Sequence, residues 1–133
     1  MRFFLDTDTC IYLINRKKGI RERFRQHAIH TCISAITYAE LRFGVAHSTR
    51  VAENERLVEE FRNDLSVVPF DAAAARHYGE IRQELSRRGA LIGPLDLLIA
   101  AHARSREATL VTNNEREFGR VPDLRIENWL RPA

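Results

Sequence analysis

Lysine is nearly missing from this chain. Lys17 and Lys18 are two of 21 basic residues, so the other 19 are arginines. Arginine's planar fork suits bidentate phosphate contacts and stacking, which favours an RNA or DNA partner, although a genomic composition bias yields the same excess. Cysteine is scarce too. Cys10 and Cys32 have no metal-type spacing, and they read as small buried hydrophobes on a helix and a strand rather than a disulfide. His27 and His30 stand three apart, but in a basic surface segment, so a zinc centre is not expected. No apolar run approaches the ~18 residues a membrane span requires. No basic stretch leads into a long apolar segment at the N-terminus, so no signal peptide is visible and a cytoplasmic location is expected. Internal repeats, low-complexity tracts and linkers are also missing.

What remains is ordinary globular material. The 133 residues are 44% hydrophobic and 29% charged, enough for one domain over 1–133 with a real core. The net charge is +3 and the pI about 9.2, a mildly basic balance.

Phe3 to Leu5 is a short apolar run that stops at Asp6, the pattern of a buried strand with a carboxylate at its carboxyl end. Thr7 or Asp8 can cap a helix holding Ile11, Leu13 and Ile14, which Arg16 to Gly19 ends. Ile20 to Ala28 is basic and amphipathic. Thr31 to Ile33 is a second strand, and Ser34 caps a helix to about His47. Thr49 to Leu65 is a long helix with Leu57, Val58, Phe61 and Leu65 at helical spacing. Val67 to Phe70 is a third strand. Asp71 caps a helix through Ala74, Tyr78, Ile81 and Leu85, which ends near Gly89. Gly93 and Pro94 punctuate a loop before a strongly apolar helix, Leu95 to Arg104. Thr109 to Val111 is a fourth strand, Asn113 and Asn114 form a polar turn, and Leu124 to Ile126 is a last short strand. Strands alternating with helices predict an α/β fold, a parallel sheet covered by helices. The 49–65 and 71–88 helices together suggest a lobe beside that sheet.

Four carboxylates stand out. Asp6 closes a strand, where open α/β sheets bind ligands, though a helix cap explains it as well. Glu40 shares a helix face with Ile36 and Phe43, which is costly for an ionised acid unless it is paired. Asp96 lies in the first turn of a helix apolar on nearly every side, where the helix N-terminus favours an acid and capping explains it in part. Glu117 follows the fourth strand and alone reads as a surface acid. Converging, the four cannot all ionise unaided. A hard divalent cation, Mg²⁺ or Mn²⁺, resolves that repulsion with oxygen ligands. Discounting these four of the 18 acids leaves 14 against 21 bases, an excess that suits a phosphate substrate.

The chain resembles a PIN-domain ribonuclease of the VapC type, the toxin of a toxin–antitoxin pair. The matching stretches are Phe4 to Asp8, Ile33 to Leu41, Ile92 to Ala100 and Val111 to Phe118, in the family's order and across essentially the whole chain. The resemblance implies a three-layer fold, with a mostly parallel sheet of four to five strands flanked by helices. It implies Asp6 and Asp96 as principal metal ligands, Glu40 and Glu117 completing the site, and Thr7, Asp8, Thr112 and Asn113 as supporting polar residues. Position 8 is often Asn in the family, so Asp8 adds a fifth acid. The fourth acid is often Asp, and Glu117 reaches further. The implied reaction is Mg²⁺-assisted hydrolysis of a tRNA or mRNA phosphodiester, with Glu40 or Glu117 deprotonating the attacking water. Relatives dimerise and are silenced by an antitoxin; the candidate dimer surface is the face carrying Leu57, Phe61 and Leu65.

Two rival readings are weaker. Asp6-Thr7-Asp8-Thr9 is similar to the D-x-D-x-T nucleophile motif of haloacid-dehalogenase-type phosphatases, in which Asp6 would be phosphorylated and Asp8 would act as general acid. That family needs a lysine well downstream, and none follows Lys18. The other is a non-catalytic RNA-binding module whose acids are structural.

Overall fold

A computed structural model describes residues 2–15 and 18–131. The elements run β1 (Phe3–Leu5), α1 (Thr7–Ile14), α2 (Lys18–His27), a 3-10 turn (Ala28–His30), β2 (Thr31–Ser34), α3 (Ala35–His47) and α4 (Val51–Asn63). They continue with β3 (Ser66–Val68), α5 (Ala72–Arg87), α6 (Pro94–Ser105), β4 (Thr109–Val111), α7 (Glu115–Phe118) and β5 (Arg125–Glu127). The five strands form one parallel sheet in the order β3-β2-β1-β4-β5. This is the expected α/β architecture, with β1 at the centre.

Alternation along β1 divides the core in two. Phe3 and Leu5 point to one layer and Phe4 to the other, as the two-residue period of a strand requires. The first layer takes Cys10 and Leu13 from α1, Ile20 from α2, Leu41 and Val45 from α3, and Val58 and Phe61 from α4. The second takes Ile81 and Leu85 from α5 and Leu97, Ile99 and Ala103 from α6. Both cysteines are buried and free. Each large side chain sealed this way contributes about 1.5–3 kcal/mol of apolar burial.

That division corrects several expectations. α4 and α5 do not form a lobe together; their apolar stripes serve opposite faces of the sheet. On the suggested dimer face Phe61 is buried, at 8% exposed, and Leu65 packs partly on the same core, whereas Leu57 stays half-buried and lines a surface cavity with Leu13 and Phe24. The third strand is Ser66–Val68 rather than Val67 to Phe70, because Pro69 offers no N–H for a ladder. The last strand sits one residue later than expected. Asp6, not Thr7 or Asp8, caps α1 by accepting the Thr9 N–H at 2.9 Å. Arg16 and Lys17, expected to end that helix, lie outside the described residues; among those, α1 stops at Ile14. The caps Ser34 and Asp71 are as expected. Among the described residues, no helix is long and apolar enough to cross a membrane.

Candidate active site

Two strands end side by side and present the first acid. Leu5 pairs with Val111 in register, so Asp6 and Thr112 stand together just past the sheet's edge. The Asp6 N–H donates to the Val111 carbonyl at 3.0 Å. The chain reverses its order across the sheet between β1 and β4, and open sheets bind ligands outside such a switch point. Asp6 is 3% exposed. Burial raises its pKa, while hydrogen bonds from Thr112 and Thr9 oppose the rise and the Asp8 charge adds to it.

Glu40 arrives from α3, by a different route from the expected one. The buried stripe of α3 is Thr37, Leu41 and Val45; Phe43 is 67% exposed. The face shared by Ile36, Glu40 and Phe43 is therefore no apolar stripe, and Glu40 carries no burial penalty of that kind. Instead the Thr7 hydroxyl donates to its Oε1 and draws the side chain toward α1.

Asp96 lies in the first turn of α6, where Gly93 is the cap residue, Pro94 follows, and no side chain makes a cap bond. Asp96 makes no cap bond, but it keeps the first-turn position in which the helix N-terminus favours an acid, so that part of the expectation holds. Its pKa is pushed up to about 7 by burial, by a hydrogen bond with Glu117, and by the charges of Glu117, Glu40 and Asp6. Glu117 is oppositely placed. Burial acts to raise its pKa, but the Gly93 N–H, the Asn114 amide, Asp96 and Arg120 outweigh this and lower it. One proton between the two carboxyls relieves the repulsion of like charges.

Asp6, Thr7, Asp8, Glu40, Asp96, Asn114 and Phe118 line one cavity of about 190 Å³. Glu117 is not among the lining residues; its Oε1 accepts the Gly93 N–H at 3.0 Å, close to Asp96. A Cβ built on Gly93 would lie 3.5 Å from Asp96 Oδ2 and 3.7 Å from Glu117 Oε1. Three of the four predicted acids thus line one cavity, brought there by the end of β1, by α3 and by α6, and Glu117 from α7 stands next to Asp96. Among the described residues, no three His, Cys, Asp or Glu side chains stand close enough to enclose an ion alone. Open spacing of this kind suits Mg²⁺, which keeps several waters and takes one or two carboxylates with substrate phosphate. The lining donors are oxygens, with one amide. The nearby Cys10 thiol is held protonated, first by burial and then by the Asp6 charge, so it offers no thiolate.

Thr112 and Asn113 divide in role. Thr112 is buried and its hydroxyl accepts the Asn114 N–H at 2.9 Å. Asn113 turns toward the Tyr12 hydroxyl, 3.4 Å away, and it is Asn114 that reaches the cavity. Asn114 and the four-residue helix α7 were missed as a turn. The signal was present: Asn114 and Glu117 have the N-x-x-E spacing of a capping box. His102 was missed as well. It is fully buried, within 2.7 Å of the Ser34 hydroxyl through Nδ1, with Nε2 unpartnered.

Comparisons with known proteins identify the family. The PIN domain family model matches residues 3–124. The chain is 48% identical to the tRNA(fMet)-specific endonuclease VapC of Salmonella typhimurium, over 97% of this chain and 98% of that protein. It is 44% identical to Ribonuclease VapC2 of Haemophilus influenzae, over 98% and 99%. Among solved structures, DNA-bound VapBC from Salmonella typhimurium superposes with a TM-score of 0.94, at 48% identity over 97% of this chain and 98% of that one. VapBC2 from Rickettsia felis, bound to a promoter DNA fragment, gives 0.92 at 40% identity, over 97% and 99%. An acidic cavity at the switch point of a five-stranded parallel sheet, together with these matches, places the chain in the PIN-domain family, among its VapC-type members.

Proposed function

We propose that this chain is the toxin of a toxin–antitoxin pair, one PIN domain acting as an endoribonuclease on tRNA or mRNA in the cytoplasm. The observation that carries this reading is the cavity where Asp6, Glu40 and Asp96 meet from three separate elements. Asp6 and Asp96 would hold Mg²⁺, or Mn²⁺. When bound, the ion stabilises charge developing on the phosphate and lowers the pKa of bound water. Glu117, kept ionised by its donors, and Glu40, steered by Thr7, are the groups placed to accept a proton from the attacking water. Asp8 widens the negative wall of the cavity, and Thr112 holds the Asp6 carboxylate. The arginine excess attracts the RNA backbone.

An antitoxin partner suits the same cavity, since an arginine or lysine side chain of the partner can replace the cation's charge. The working form is a homodimer, with a larger assembly when the antitoxin binds. Sedimentation at micromolar concentration tests this, and a strict monomer with and without antitoxin would remove it.

The reaction is tested by sequencing RNA 5′ ends after brief expression of wild type beside Asp6→Asn. New ends at defined sites in the wild type alone are expected. Identical ends in both would overturn the reading.

A further inference from the structure

Asn114 stands at a junction of the site. Its backbone N–H donates to the Thr112 hydroxyl at 2.9 Å. Its side-chain Nδ2 donates to Glu117 Oε2 at 2.7 Å, and its Oδ1 receives the Glu117 N–H at 3.4 Å. The other Glu117 oxygen, Oε1, accepts the Gly93 N–H at 3.0 Å. Each oxygen of this carboxylate therefore has its own donor, one from the start of α7 and one from the start of α6. Two fixed donors leave the carboxylate little freedom to rotate.

We propose that Asn114 is a positioning residue for RNA cleavage, holding the Glu117 carboxylate in the orientation that faces Asp96 across Gly93. This rests on the reading above that Glu117 takes part in the reaction. Thr112 ties the assembly to the end of β4, because its hydroxyl anchors Asn114 while it also bonds Asp6. Asn114 thus connects the acid on β1's end to the acid on α7. An amide is the suitable group, being neutral and a donor where an acid would repel Glu117.

The competing role is a plain helix cap. The two separate by chemistry, since Asp caps a helix as well as Asn does but cannot donate to a carboxylate. Purified full-length Asn114→Asp, Asn114→Ser, Glu117→Gln and the double variant Asn114→Asp/Glu117→Gln are compared with wild type. Cleavage of a fixed RNA is followed in Mg²⁺, and melting temperatures are measured without it. Ser also caps, and is too short to reach Glu117 Oε2, so it serves if the Asp variant folds poorly.

The expected result is a kcat at least tenfold lower in Asn114→Asp and Asn114→Ser, with KM for RNA and melting temperature close to wild type. The double variant should be no slower than Glu117→Gln alone, because Asn114 acts through Glu117. Wild-type cleavage by Asn114→Asp, with Glu117→Gln impaired, would overturn the proposal and leave Glu117's role standing. Additive losses in the double variant would overturn it too. Wild-type cleavage by Glu117→Gln would instead remove Glu117 from the reaction, and the proposal with it.

Discussion

Thr7 donates its hydroxyl hydrogen to Glu40 across 33 positions of sequence, joining the first turn of α1 to the middle of α3. Glu40 is half-buried on α3 and lines the cavity, and this bond fixes its Oε1. The contact costs Glu40 freedom and gives it direction.

Thr7→Val keeps the shape of the side chain and removes the donor. We expect cleavage to fall about tenfold, the effect of roughly 1.4 kcal/mol on the barrier. The melting temperature should hardly change, since a part-buried contact contributes only about 1 kcal/mol net. Steady-state kinetics beside thermal melting checks this, and unchanged cleavage would show that Glu40 needs no such guidance.

Asp96→Asn should abolish cleavage while leaving the metal-free protein at least as stable. Burial, then Glu117, raises the Asp96 pKa to about 7 from the usual 3.8. The folded state therefore holds its proton better than the unfolded state. Its stabilising effect is complete below about pH 4 and declines as pH rises toward 7. Melting curves from pH 4 to 8 should fall more steeply for wild type than for Asp96→Asn. Parallel curves would mean that Asp96 is not crowded by its neighbours.

His102 supplies the opposite sign. Burial, aided by Arg106, lowers its pKa from 6.5 to about 4. The unfolded chain binds the proton more readily, so stability is full above about pH 6.5 and lost as pH falls toward 4. His102→Gln retains a polar group near Ser34 but cannot titrate. Its stability should depend less on pH over that window, as chemical denaturation at pH 4.5 and 7.5 would show.

Mg²⁺ should stabilise the wild type and not Asp6→Asn. At a concentration one hundred times its dissociation constant, a ligand binding only the folded state adds about 2.7 kcal/mol. Differential scanning calorimetry with and without the ion reads this directly. Equal shifts in both proteins would place the ion elsewhere, and no shift in the wild type would favour a non-catalytic RNA-binding module.

The sequence alone determined the alternation of strands and helices, the parallel sheet, and the strand-end position of Asp6. These are local matters: apolar runs of three, helical spacing such as Val58 and Phe61, and caps such as Ser34 and Asp71 are written within a few residues of one another. It also singles out four acids, three of which line one cavity, with Glu40 held there by Thr7 and not by an apolar stripe. Only the tertiary structure decided what depends on contacts between distant segments. The order of strands across the sheet sent α4 and α5 to opposite faces, a choice no helical period encodes. It likewise brought Thr7 to Glu40 and Gly93 to Glu117. Asn113 and Asn114 are chemically identical neighbours, and nothing in their type tells them apart. The turn after β4 aims one at Tyr12 and the other into the cavity, because successive backbone positions there point in different directions.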